Sequence, residues 1–155
     1  MISAESLVQS APDAPRGDAY LWDIPQREDV RNDLGPPLVS IVDDDESVRE
    51  SLPDLVRELG FTALAFSSAR EFLASTSVAG TECLILDIMM PGMSGPELQE
   101  ELKRRRLQIP IVFITAQTSE PLRSQVLARG AVECLIKPFS DAALLDALNL
   151  ALRTN

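Results

Sequence analysis

The 155 residues carry a net charge of −10, no histidine and 45% hydrophobic side chains. That apolar content supports one packed domain plus a surplus, since a domain commonly takes about 100–150 residues. The missing histidine excludes Ser-His-Asp and Cys-His catalysis, His-ligated zinc and a phosphohistidine donor in this chain, and the acidity disfavours a nucleic-acid-binding surface.

Residues 1–37 form an extension with five of the eleven prolines, the only Trp (Trp22) and the only Tyr (Tyr20). The prolines argue against one continuous helix there. Residues 27–34 read as a short helix, with Val30 and Leu34 four apart. The rest reads as mostly irregular, with Tyr20, Leu21, Trp22 and Ile24 as anchors for docking on the domain or on a partner. No apolar stretch approaches the roughly 18 residues of a membrane span, and the N-terminus lacks the basic-then-apolar pattern of a signal peptide. Cys83 and Cys134 lie inside apolar runs and read as reduced, buried hydrophobes. The expected location is the cytoplasm, without a membrane partner.

From Leu38 onward the pattern alternates regularly. Leu38–Val42 reads as a first strand. A helix follows from Ser47 to about Leu59, with Ser47 and Glu50 fitting a capping box, Gly60 ending it and Pro53 expected to kink or loosen one turn. The next expected elements are a strand over 61–66, a short helix over 68–75 and a strand over 83–88. A loop with Pro91, Gly92 and Gly95 leads into a helix over 95–107. Then come a strand over 109–115, a helix over 121–129 closed by Gly130, a strand over 131–136 and a final helix from Ser140 to about Arg153. Five strand-then-helix units predict an α/β fold: a flavodoxin-like (βα)5 domain over 38–155. Its parallel five-stranded sheet has order 2-1-3-4-5, with helices on both faces.

Polar residues gather at the C-terminal ends of these strands, where such folds place their sites. The first strand ends in Asp43-Asp44-Asp45, the third in Asp87, the fourth in Thr115 and the fifth in Lys137. In this order the first and third strands are neighbours, so Asp43, Asp44 and Asp87 converge and repel unless a hard divalent cation such as Mg²⁺ joins them. Lys137 adds a second positive charge and Thr115 a hydroxyl. A carboxylate so flanked is arranged to receive a phosphoryl group. A lone Asp at a strand end is usually a helix cap, the role expected of Asp45. The acidic run does not match an EF-hand. Lys103-Arg104-Arg105-Arg106 reads as a helix end that complements the dipole, with a partner patch as the alternative.

Ile41-Val42-Asp43-Asp44-Asp45-Glu46, the segment Leu86-Asp87-Ile88-Met89-Met90-Pro91-Gly92-Met93-Ser94-Gly95, Ile114-Thr115-Ala116 and Ile136-Lys137-Pro138-Phe139 resemble the receiver domain of two-component response regulators. Ser68-Ala69-Arg70-Glu71-Phe72-Leu73 is similar to the branch whose full-length members often carry a LuxR-like DNA-binding output domain. The resemblance implies that Asp87 accepts a phosphoryl group from a sensor histidine kinase or phosphotransfer protein. It implies Mg²⁺ held by Asp44, Asp87 and the Met89 carbonyl, with Asp43 acting mostly through water. It implies that Thr115 and Lys137 engage the phosphoryl group, that Lys137-Pro138 is cis, and that Met89 and Gln117 tune the phosphoryl lifetime. It also implies a homodimer through the fourth helix, fifth strand and fifth helix, and no direct nucleic-acid binding. The chain would then be a phosphoacceptor switch and not an enzyme.

Two departures stand out. Receivers usually carry Tyr or Phe where this chain has Cys134, and Pro53 lies on a helix where kinases commonly dock. Cys134 together with the extension over 1–37 makes a phosphorylation-independent interaction module the alternative. A phosphohydrolase using Asp87 ranks lower, because position 89 is Met where that chemistry commonly needs an acid.

Overall fold

The structure, a computed structural model, describes residues 35–153. The expectations for residues 20–24 and 27–34 lie outside them. Among the described residues, no helix is long and apolar enough to cross a membrane.

Among the described residues, five strands alternate with five α-helices. In chain order they are β1 (Leu38–Val42), α1 (Glu46–Glu58), β2 (Thr62–Phe66), α2 (Ala69–Ala74), β3 (Cys83–Asp87), α3 (Gly95–Arg104), β4 (Ile111–Thr115), α4 (Glu120–Ala128), β5 (Glu133–Ile136) and α5 (Asp141–Arg153). All four strand pairings are parallel and the order is β2-β1-β3-β4-β5, the flavodoxin-like order expected. A 3₁₀ turn at Thr76–Val78 was not anticipated.

Every residue of β3 and β4 is buried, because both sheet faces are covered. Alternate residues go to opposite layers. Val39, Ile41, Cys83, Ile85, Val112 and Ile114 pack with Leu52 and Val56 of α1 and Leu144 and Leu148 of α5. Val42, Leu84, Leu86, Ile111 and Phe113 pack with Phe72 of α2, Leu98 and Leu102 of α3 and Val126 of α4. Each fully buried Leu, Ile or Phe contributes about 1.5–3 kcal/mol.

At the N-terminus of α1 the sequence offers both Asp45 and Ser47 as caps, and the structure takes the first. Asp45, not Ser47, is the cap: its Oδ1 accepts from the Ser47 N–H at 2.9 Å and the Ser47 hydroxyl at 2.8 Å. An ionised carboxylate is the stronger acceptor, so the Ser47–Glu50 box gives way. The capping box forms instead at α3, between Ser94 and Glu97. The α1 assignment runs unbroken through Pro53, which is buried beside Leu52. Gly60 and Gly130 follow α1 and α4 with φ of 105° and 109°, the left-handed position that favours glycine. After α3 this position belongs to Arg106, at φ 59°, where a side chain costs about 1–2 kcal/mol.

Candidate functional site

The register of the sheet builds an acidic cluster at its C-terminal edge. β1 lies between β2 and β3, so Asp43, one residue beyond β1, meets Asp87 at the end of β3. The Asp43 N–H donates to the Phe66 carbonyl at 3.2 Å, which extends the β1–β2 ladder into the site. One carboxylate oxygen each from Asp43, Asp44 and Asp87 lies within 4.8 Å of the others. Asp43 is fully buried and Asp87 is 6% exposed, whereas Asp44 is exposed.

Lys137, just beyond β5, reaches back to this cluster. Its Nζ lies 3.0 Å from Asp43 Oδ2 and 3.8 Å from Asp87 Oδ1. Asp43 Oδ1 accepts the Asp45 N–H at 2.9 Å, and the Asp43 carbonyl accepts from Arg49 Nη1 at 2.9 Å. The ammonium thus pairs more closely with Asp43 than with Asp87. Burial first, and then the charge of Asp43, push the Asp87 carboxyl up to about 7, while Lys137 pulls it down. The donor set is all oxygen and acidic, which suits a hard divalent cation.

Thr115 ends β4 and is buried, beside Asp87 in sheet order because Asp87 pairs with Ile114. Its Oγ1 accepts the Gln117 N–H at 3.0 Å, and its carbonyl accepts the Lys137 N–H at 2.8 Å. Met89 and Gln117 are exposed on the loops beyond β3 and β4. The Lys137–Pro138 peptide is cis. Asp45 leaves the cluster to cap α1, as expected.

Gly95 also shapes the site, and sequence reasoning placed it at the end of a loop and the start of a helix. As the first residue of α3, it donates its N–H to the Ile88 carbonyl at 3.0 Å. A Cβ there would lie 2.3 Å from the Asp87 carbonyl oxygen and 2.9 Å from Phe113 Cε1. Only glycine lets α3 start this close to the strand carrying Asp87. Cys134, where the resemblance leads one to expect an aromatic ring, is 4% exposed and packs with the α2–α3–α4 layer. Beside it, Arg123 Nη2 of α4 holds Glu133 Oε1 of β5 at 3.0 Å. A void of about 10 Å³ lies between Thr115, Cys134 and α4.

A profile of the response regulator receiver domain matches residues 39–149. The chain belongs to the response regulator receiver family. The receiver is 47% identical over 111 residues to Nodulation protein W of Bradyrhizobium diazoefficiens, covering 72% of this chain and 49% of that protein. It is 41% identical over 116 residues to response regulator protein TodT of Pseudomonas putida, covering 75% and 51%. Among solved structures, the response regulator StyR superposes with a TM-score of 0.72 at 47% identity, over 78% of this chain and 61% of that one. FixJ-N superposes with a TM-score of 0.70 at 34% identity, over 76% and 94%. The receiver therefore spans about half the length of the curated relatives it matches.

Proposed function

We propose that this receiver takes a phosphoryl group on Asp87 and thereby changes the surface it offers to partners. The observation that carries the reading is the joint placement of Asp43, Asp44 and Asp87 with the Lys137 ammonium, 3.8 Å from Asp87. An Asp87 oxygen attacks phosphorus; the bond to the donor's imidazole nitrogen breaks, and an acyl phosphate forms. The donor is a phosphohistidine on a sensor kinase or phosphotransfer protein, since this chain has no histidine. Lys137 leaves its pairing with Asp43 to meet the new phosphoryl oxygens, and the Thr115 hydroxyl donates to one of them. Asp44, Asp87, the Met89 carbonyl and, through water, Asp43 would hold Mg²⁺, which offsets the charge of the transferring oxygens. Met89 and Gln117 flank the approach of a hydrolysing water and set the lifetime.

In this reading residues 38–155 are the receiver unit and residues 1–37 an appended segment. A homodimer through α4, β5 and α5 is the proposed output. It is supported by the edge position of β5 and the partial exposure of Ile136 and Leu150. Cys134 favours a second reading, a module whose partner binding ignores phosphorylation. With no ring to turn inward, the usual coupling of threonine to aromatic is missing.

Intact mass after incubation with Mg²⁺ and acetyl phosphate tests the main reading. The wild-type chain is expected to gain one phosphoryl mass, and Asp87→Asn none. No gain in wild type, or an equal gain in the variant, rejects it. Equal partner binding by both proteins after such treatment selects the second reading.

A further inference from the structure

Within the acidic cluster, Asp43 and Asp44 are held in different ways. The Asp43 N–H donates to the Phe66 carbonyl at 3.2 Å, its Oδ1 accepts the Asp45 N–H at 2.9 Å and its Oδ2 faces Lys137 Nζ at 3.0 Å. Its carbonyl accepts from Arg49 Nη1 at 2.9 Å. The exposed Asp44 side chain makes no hydrogen bond among the described residues, so its backbone alone decides where its carboxylate points. The Asp43 carbonyl and the Asp44 N–H share one rigid peptide plane. A fixed Asp43 carbonyl therefore fixes the direction in which the chain enters Asp44.

Arg49 lies one turn into α1 and is half-buried. Helical side chains lean toward the N-terminus, so its long stem brings the guanidinium back to a carbonyl six residues earlier. The helix does not account for a cation there, since positive charge near an N-terminus opposes the dipole. Nor does an ion pair: among the described residues, no carboxylate lies within ion-pair distance of Arg49. Arg57, further along α1, makes the same kind of bond, from Nη2 to the Ala63 carbonyl at 2.9 Å. Ala63 is near the start of β2, at the opposite end of the sheet from the cluster.

We infer that Arg49 is a positioning residue for the metal: by holding the Asp43 carbonyl it sets the Asp43–Asp44 peptide and keeps the Asp44 carboxylate beside that of Asp87. The inference rests on the reading of the cluster as a Mg²⁺ and phosphoryl site. Two effects of the guanidinium compete. Its charge repels an incoming cation, and its hydrogen bond orders a ligand carboxylate. The repulsion is screened at a site open to water through Asp44. The bond is charge-assisted and partly buried, and a carboxylate already in place loses less freedom on binding, so the ordering wins.

The test titrates Mg²⁺ into the full chain, following the assigned amides of Asp44 and Asp87 by NMR, and measures acetyl phosphate uptake by intact mass at low and saturating Mg²⁺. Arg49→Met is expected to bind Mg²⁺ about tenfold more weakly. Its uptake is expected to slow at low Mg²⁺ and to come within about twofold of the parent at saturation. Arg49→Lys, which keeps the charge and a donor, is expected to bind Mg²⁺ within about threefold of the parent. Arg57→Met loses a bond of the same kind and is expected to lower thermal stability without changing Mg²⁺ affinity. If Arg49→Met does not fold, Arg49→Gln takes its place, being polar and too short to reach the carbonyl. The inference is overturned if the Arg49→Met or Arg49→Gln chain binds Mg²⁺ as tightly as the parent or more tightly, if Arg49→Lys is no better than Arg49→Met, or if Arg57→Met weakens Mg²⁺ equally. A parent that binds no Mg²⁺ or gains no phosphoryl mass rejects the reading of the cluster, and this inference with it.

Discussion

Asp87 carries a cost that depends on pH. Its carboxyl is pushed up to about 7, first by burial and then by Asp43; in an unfolded chain it titrates near 3.9. Between these values the ion-free folded chain holds a proton that the unfolded chain has released. Stability therefore falls as pH rises from about 4 to 7, and the loss is complete above the folded value. Asp87→Asn removes this titration. In EDTA, urea denaturation is expected to show the variant more stable than the parent near pH 8 and the difference shrinking toward pH 4. Mg²⁺ added near pH 8 is expected to raise the stability of the parent more than that of the variant. Parallel curves for the two proteins would count against this account. Asp43, Asp87 and Lys137 were readable in the sequence because each charge ends an apolar run. The placement of Gln99 and Arg106 was not: a buried amide oxygen with no donor among the described residues and a left-handed arginine arise from tertiary placement, and no local pattern marks them.

α3 is held to β3 by an absence of side chain at Gly95. Its nearest obstacle, 2.3 Å from an added Cβ, is the backbone carbonyl of Asp87, which cannot swing aside like a flexible side chain. Gly95→Ala is expected to destabilise the chain by about 1–3 kcal/mol and to slow phosphoryl uptake by displacing Asp87. Gly80→Ala, whose Cβ would meet nothing nearer than 3.9 Å, is the control and is expected to stay within about 0.5 kcal/mol of the parent. Thermal unfolding and acetyl phosphate uptake, measured side by side, check both. A stable Gly95→Ala with normal uptake would contradict the close approach. The elements themselves were largely legible. Apolar runs at β3 and β4 announced burial on both faces, and helical periodicity located the helices. The end of α3 was not: the sequence suggested Leu107, but the helix stops at Arg104 because Arg106 takes the terminating position usually marked by glycine. The 3₁₀ turn at Thr76–Val78 is too short to leave a periodic signal.

Both apolar layers of the receiver draw on residues between Val39 and Leu152. A chain begun at Pro37 is accordingly expected to unfold in one cooperative transition, coincident by far-ultraviolet circular dichroism and amide NMR signals. Separate transitions, or no ordered amide spectrum, would show that the unit needs more of the chain. The topology that brings the site together also spreads it along the chain. Lys137 and Asp43 are 94 residues apart in sequence. During translation Asp43, Asp44 and Asp87 are all made before Lys137, and at about 5–20 residues per second the lysine lags the last of them by roughly 2.5–10 s. The counter-charge of the acidic edge is therefore the last part of the site to be synthesised.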